Sequence, residues 1–288
     1  MSTVTEHYQQ LLAKHYTWMF GASFNEKVKE QESLLSQTLG DLTKQSAGAL
    51  AVDLGSGPGF QTIALAHLGF SPVIAIDTSS ELLDELRFHI GSLPVQIKKA
   101  DLRDLPTVVP AERATVIVCM GDTLTHLPSK TDVIALFRSL SDALHSGGMF
   151  VITYRDLTFE LRGSDRFIPV RSDENAIMTC FLEYENADSV LVHDLVYTRQ
   201  GSDWTLGKSS YSKLRLGVDW VLQELSMAGL AVEYQDSVGR TAKGCCQEAI
   251  ISSFAIGRRC LLLDCAAECR DTTGERCFGS GKVSTVNQ

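Results

Sequence analysis

The sequence predicts an α/β fold of the doubly wound kind, a mostly parallel sheet with helices on both faces. Three observations predict it. From Ala49 to Tyr154, short apolar runs alternate with stretches of helical spacing, the pattern of buried parallel strands joined by crossover helices. Three of these strands end in an acid, Asp53, Asp77 and Asp101, at steps of 24 residues. The first strand also runs into three glycines, Gly55, Gly57 and Gly59. Strand, glycine turn and helix is how an open α/β sheet makes a ligand crevice at its strand ends.

The elements can be justified in order. Thr5–Phe20 and Asn25–Leu39 read as two helices, the first rich in aromatics. Ala49–Val52 is the first strand, and Gln61–Leu68 has one apolar helical face,. Between them the glycines allow a sharp turn and let a ligand lie directly on the backbone. Their order is G-x-G-x-G, not the G-x-G-x-x-G of a dinucleotide site,. Asp53 would repel a pyrophosphate and would suit the ammonium of an amino acid. The second strand ends at Asp77, about the offset at which a carboxylate meets a ribose hydroxyl pair,. Thr78, Ser79 or Ser80 can cap the next helix, Glu81–Ile90, which leaves Asp77 for a ligand,. The third strand begins at Val95 and leads to Asp101 and Leu102, the fourth begins at Ala114, and Asp132–Leu144 is an amphipathic helix.

The stretch Asp53-Leu-Gly-Ser-Gly-Pro-Gly59 resembles motif I of the class I S-adenosylmethionine (SAM) methyltransferases, and the acidic series strengthens the likeness. The resemblance implies a seven-stranded Rossmann-like sheet and SAM as cofactor. It carries a cofactor site of Asp53, Gly55, Ser56, Gly57, Asp77, Thr78, Asp101, Leu102 and Met120 onto this chain. Leader helices cover the cofactor in small-molecule members, so Tyr8, Tyr16 and Trp18 are lid candidates, with a ring face to stabilise a sulfonium.

The fourth-strand loop Gly121-Asp-Thr-Leu-Thr-His-Leu127 looks like the G-N-S-x-x-H-L loop of glycine and sarcosine N-methyltransferases, with Asp122 where that family has Asn. That likeness makes Asp122 and His126 candidates for orienting the nucleophile. Arg155, at the end of the fifth strand, matches the Arg that grips a substrate carboxylate there, as a guanidinium fork can. The signature elements of nucleic-acid amino and cytosine methyltransferases are missing from this loop. The reading is therefore methyl transfer to a small molecule, most readily an amine or amino-acid nitrogen. An O-methyltransferase and a non-catalytic SAM-binding protein stand as alternatives.

Past the fifth strand, Ala176–Glu185, Ser189–Arg199 and Trp204–Leu216 read as antiparallel strands joined by short turns,. This insertion would roof the substrate pocket or make a dimer contact, so a homo-oligomer is allowed; Tyr184, His193 and Tyr211 are its pocket candidates. The expected organisation is a lid over 1–44, a SAM-binding core over 45–156, the insertion over 157–216, core completion over 217–256 and an extension over 257–288. The final pair of strands, Leu230–Tyr234 and Glu248–Ile256, should be antiparallel. Four of the eight cysteines fall between Cys260 and Cys277, in a spacing that matches no common zinc pattern, and a poorly ordered tail without metal is expected,.

Composition sets outer limits. The 288 residues are 44% hydrophobic and 21% charged, as in soluble globular proteins. A net charge of −9 gives a nucleic-acid substrate no electrostatic help,. No apolar run approaches a membrane span and the first ten residues lack a signal peptide's apolar region, so a cytoplasmic location with no membrane partner is expected.

Overall fold

The computed structural model describes residues 3–111, 113–237, 248–255 and 259–262, with side chains through 232. Helix α1 (Val4–His7) starts from a Thr3 capping box. The leader then passes through a π turn, Tyr8–Leu12, and a 3-10 turn, Ala13–His15, to α2 (Tyr16–Met19). It is a broken helix where a single one was expected. The break lets Leu11 and Leu12 pack under the second sheet while Tyr16 turns to the first. Helix α3 (Phe24–Leu39) begins at a Ser23–Glu26 capping box,.

The core follows as β1 (Leu50–Leu54), α4 (Phe60–His67), β2 (Val73–Asp77), α5 (Ser80–His89), β3 (Val95–Lys99), α6 (Leu105–Val108), β4 (Ala114–Cys119), α7 (Lys130–Ala143) and β5 (Leu144–Arg155). Strands β5-β4-β1-β2-β3 are all parallel. Alternation in β1 explains the two layers. Val52 and Leu54 face a core shared with α7, while Ala51 packs with Leu35 and Leu39 of α3 and Ala64 and Leu65 of α4,. Both faces are covered, so the strands read as continuous apolar runs.

A second sheet of β6 (Phe167–Ser172), β7 (Ala176–Tyr184), β8 (Ser189–Gln200) and β9 (Asp203–Leu214) is antiparallel throughout. Its β6 was missed, because Phe167-Ile-Pro-Val-Arg-Ser172 is half exposed and interrupted by proline,. Helix α8 (Val218–Met227) returns to the first sheet. Strands β10 (Leu230–Ser237) and β11 (Glu248–Ala255) are antiparallel to each other, as expected. A twelfth strand, β12 (Arg259–Leu262), pairs parallel with β5 and β10. The first sheet thus has eight described strands in the order β11-β10-β12-β5-β4-β1-β2-β3, where seven were expected. The extra one is the apolar Cys260-Leu-Leu262 run, which had been assigned to the extension. The remaining tail lies outside the described residues. Among the described residues no helix is long and apolar enough to cross a membrane, and no group of three ligand-type side chains could hold a metal.

Candidate active site

The acidic series stands at the carboxyl edge of the parallel sheet. Asp53 ends β1 facing α4, where Thr62 donates to its Oδ2 at 2.6 Å. It is 1% exposed. Burial pushes its carboxyl up to about 7, against the opposing hydrogen bond from Thr62,. The chain then turns at Gly55 with φ +72°, and a Cβ there would lie 2.3 Å from the Thr123 side chain. Only glycine fits, because the β4 exit loop closes directly on it.

Asp77 ends β2 beside that turn. Its Oδ2 accepts from Gly57 N and its Oδ1 from Ser79 N, both at 2.8 Å. Of the three residues expected to offer a cap for α5, Ser79 provides it. Burial raises the Asp77 carboxyl, against backbone donors at Ser79, Gly57 and Thr78. Thr78 stands next to it, with its hydroxyl 3.5 Å from that of Thr5 in α1. Ser56 Oγ is buried in the loop without a hydrogen-bond partner. Asp101 caps the short turn after β3, and its carboxylate accepts from Arg103 Nε at 2.8 Å and Nη2 at 2.9 Å. These bonds hold its carboxyl below the usual range. Leu102 packs on the α7 core and Met120 is buried beneath the α3 side.

Of the lid candidates, Tyr16 meets the loop: its ring would lie 3.6 Å from a Cβ on Gly57. Trp18 goes elsewhere. Its Nε1 donates to Asp173 at 2.6 Å and the Arg171 guanidinium lies 5.0 Å over its ring. An acidic and a basic partner at the second sheet, Asp173 and Arg171, thus hold Trp18 there and not at its expected place at the cofactor.

A second cluster surrounds the exit of β4. Asp122 accepts from Arg155 N at 3.1 Å and Arg155 Nε at 2.7 Å, and from Arg155 Nη2. Lys213 Nζ, from β9, donates to Asp122 Oδ2 at 2.5 Å. Burial alone would raise the Asp122 carboxyl, but the two cations hold it well below the usual carboxylate range. The Arg155 fork, expected to grip a substrate, is closed on Asp122. His126 ends the 3-10 turn Thr123–His126, and its Nε2 is buried without a partner. Its ring meets Tyr8 and Tyr211 edge-on at 6.0 and 5.5 Å. Burial, with Lys213 and Arg155 nearby, pushes its pKa down to about 3, so it is neutral at physiological pH.

Of the three insertion candidates, Tyr211 alone faces this cluster. Tyr184 bonds the backbone of Phe159 and Leu161, and His193 pairs with Glu183. Two residues escaped the sequence reading. Lys213 shares the inward parity of Tyr211 on an alternating strand, and a charge at that parity was the available signal,. His7 bonds Asp194 of β8 at 2.9 Å in a fully buried setting, a pairing no local pattern announces.

Residues 51–148 match a methyltransferase domain family. The chain carries a methyltransferase domain. Methyl transfer is the activity of such a domain, and SAM is the cofactor that this match and the solved structures below support. A SAM-dependent methyltransferase from Clostridium acetobutylicum superposes with a TM-score of 0.61 at 17% identity, covering 84% of this chain and 94% of that one. An amino pentose methyltransferase of calicheamicin biosynthesis from Micromonospora echinaspora, solved with SAM bound, gives 0.60 at 14%, covering 83% and 95%. A sugar N-methyltransferase from a Streptoalloteichus species gives 0.60 at 14%, covering 86% and 94%. At these identities the likeness is one of fold. No curated protein matches the sequence. The methyltransferase's glycine loop fits the cofactor: it has a backbone cradle at Gly55–Gly57, an orphaned hydroxyl on Ser56 and the Asp77 carboxylate at its rim.

Proposed function

We propose that this methyltransferase acts on the nitrogen of a small-molecule amine or amino acid, with catalysis by positioning. Bound SAM supplies an activated methyl group, which a neutral nitrogen takes up by direct displacement. The chain's own residues hold the parts. Gly55–Gly57 and Ser56 cradle the amino-acid end, with Asp53 toward its ammonium. Asp77 and Thr78 stand at the ribose, Asp101 and Leu102 at the adenine. Tyr16 covers the loop, and Met120 lies beneath the β4 exit.

One observation carries the choice of nitrogen: the neutral, unpartnered His126 Nε2 beside a fully answered Asp122. Asp122 already accepts from two cations, so it is a poor counter-ion for a charged acceptor. His126 can accept a hydrogen bond from an N–H and hold the lone pair toward the methyl group. A base titrating near 3 is badly matched to an alcohol,, whereas a neutral amine attacks first and sheds its proton afterwards. The β4 loop also supports a pocket of the glycine and sarcosine N-methyltransferase kind, in which Arg155 acts by holding Asp122. Amino sugars belong beside simple amino acids as acceptors, since two fold neighbours bear such names.

The test is a panel of amines, amino acids, amino sugars and phenols, scored by SAM-dependent turnover. Turnover should be confined to the nitrogen compounds, and His126→Ala should lower kcat/KM by about 10- to 100-fold with SAM binding retained. Turnover of phenols alone would overturn the reading.

A further inference from the structure

We propose that Lys213 is a positioning residue, which couples the second sheet to the loop that presents His126 and keeps that histidine's Nε2 free to accept from the substrate. The inference rests on the amine reading above. Lys213 is 3% exposed, on β9, and reaches across to the β4 exit to meet Asp122 Oδ2 at 2.5 Å. The same carboxylate already takes the Arg155 fork and its backbone N–H. Asp122 is therefore held from β5 by Arg155 and from β9 by Lys213.

A buried ammonium is costly, and a plain brace would be served as well by an apolar side chain. What Lys213 adds is reach in two directions. Asp122 O accepts from Thr125 N at 3.0 Å and Thr125 Oγ1 at 2.7 Å, so a fixed Asp122 fixes the turn that ends in His126. Lys213 Nζ also lies 5.6 Å over the Tyr211 ring, which meets His126 edge-on. The charged and titratable groups around His126 are Lys213 and Tyr211 from β9, Arg155 from β5, Asp122 from its own loop, and His7 and Tyr8 from the leader. Among them, Lys213 is the largest electrostatic influence against protonating the ring, second to burial itself.

The experiment follows His126 directly. The ring signals of isotope-labelled full-length protein are titrated by nuclear magnetic resonance, in the wild type, Lys213→Met and Lys213→Gln, with SAM binding measured by calorimetry as a control. The variants should bind SAM as the wild type does. Their His126 midpoint should rise by about one pH unit or more from its low wild-type value. With an acceptor found in the amine panel, kcat in the variants should be about tenfold lower at each pH between 6 and 8, because His126 is mispositioned and stays neutral there, while the KM for SAM stays constant. An unchanged His126 midpoint in either variant that still binds SAM would overturn the proposal. If Lys213→Met does not fold, Lys213→Gln keeps a hydrogen-bonding head without charge and decides alone. Failure of the amine panel in the wild type sinks the amine reading separately, because the titration needs no acceptor.

Discussion

At the scale of single residues, the site works by setting protonation states through burial. Asp53 is as buried as an aliphatic core residue, and its carboxyl is lifted to about 7. An acid so placed is neutral below that pH and charged above it. The proposed partner, the α-ammonium of SAM, stays protonated below about pH 7. Cofactor affinity should therefore fall by up to about tenfold per unit as the pH drops below 7. Asp53→Asn should bind weakly and with no such slope. Calorimetric titration with SAM between pH 5.5 and 8.5 measures both, and a slope retained in the variant would assign it to another group. Asp122 shows the opposite outcome under similar burial, because two cations outweigh desolvation and keep it charged,.

At the scale of elements, the leader belongs to the second sheet as much as to the first. Leu11 and Leu12 pack with Met178 and Val196, Trp18 bonds Asp173, and His7 bonds Asp194 in the interior. Toward the first sheet it offers Tyr16, a Thr17–Glu85 hydrogen bond at 2.6 Å and the Thr5–Thr78 contact. Removing His7 would leave the Asp194 carboxylate buried with its partner gone, at a cost of about 1–3 kcal/mol. His7→Ala should make the leader cleavable by protease near residues 8–20 without SAM, and SAM should restore protection. Cleavage at the wild-type rate would show that the pair does not pin the leader. The parallel core was legible from residues 49–155, because strands buried on both faces must be apolar and glycine turns are punctuated by local chemistry. The strand end at Asp77 and a cap among residues 78–80 were legible for the same reason: a cap and a strand end are local events. What stayed hidden was long-range. Nothing near Trp18 in the chain foretells Asp173, nothing near Arg155 foretells that its fork closes on Asp122, and the inward parity of Lys213 has meaning only once β9 is laid against the β4 exit.

At the scale of the whole molecule, three separate parts meet at one place: the carboxyl edge of the parallel sheet, the inner face of the antiparallel sheet and the leader. A ligand seated among them would touch all three, adding to the apolar packing of Leu11 and Leu12 on the second sheet and of Tyr16 on the first. Binding to the folded state alone stabilises it by mass action, by about 2.7 kcal/mol at a concentration 100 times Kd. For a chain of this size, each kcal/mol moves the melting temperature by roughly 2–4 °C, so SAM at that excess should raise Tm by about 5–10 °C. Asp77 decides whether the shift arises where it is claimed. Its carboxylate keeps lone pairs beyond those given to Gly57 N and Ser79 N, enough to receive a ribose hydroxyl pair,. In Asp77→Ala the unliganded Tm should drop only slightly, since the loop loses two hydrogen bonds at its rim. The SAM-induced rise, measured at the same SAM concentration, should shrink to a small fraction of the wild-type value. A full rise in the variant would move the ribose to another carboxylate, while no rise in the wild type would mean that SAM does not bind the folded chain.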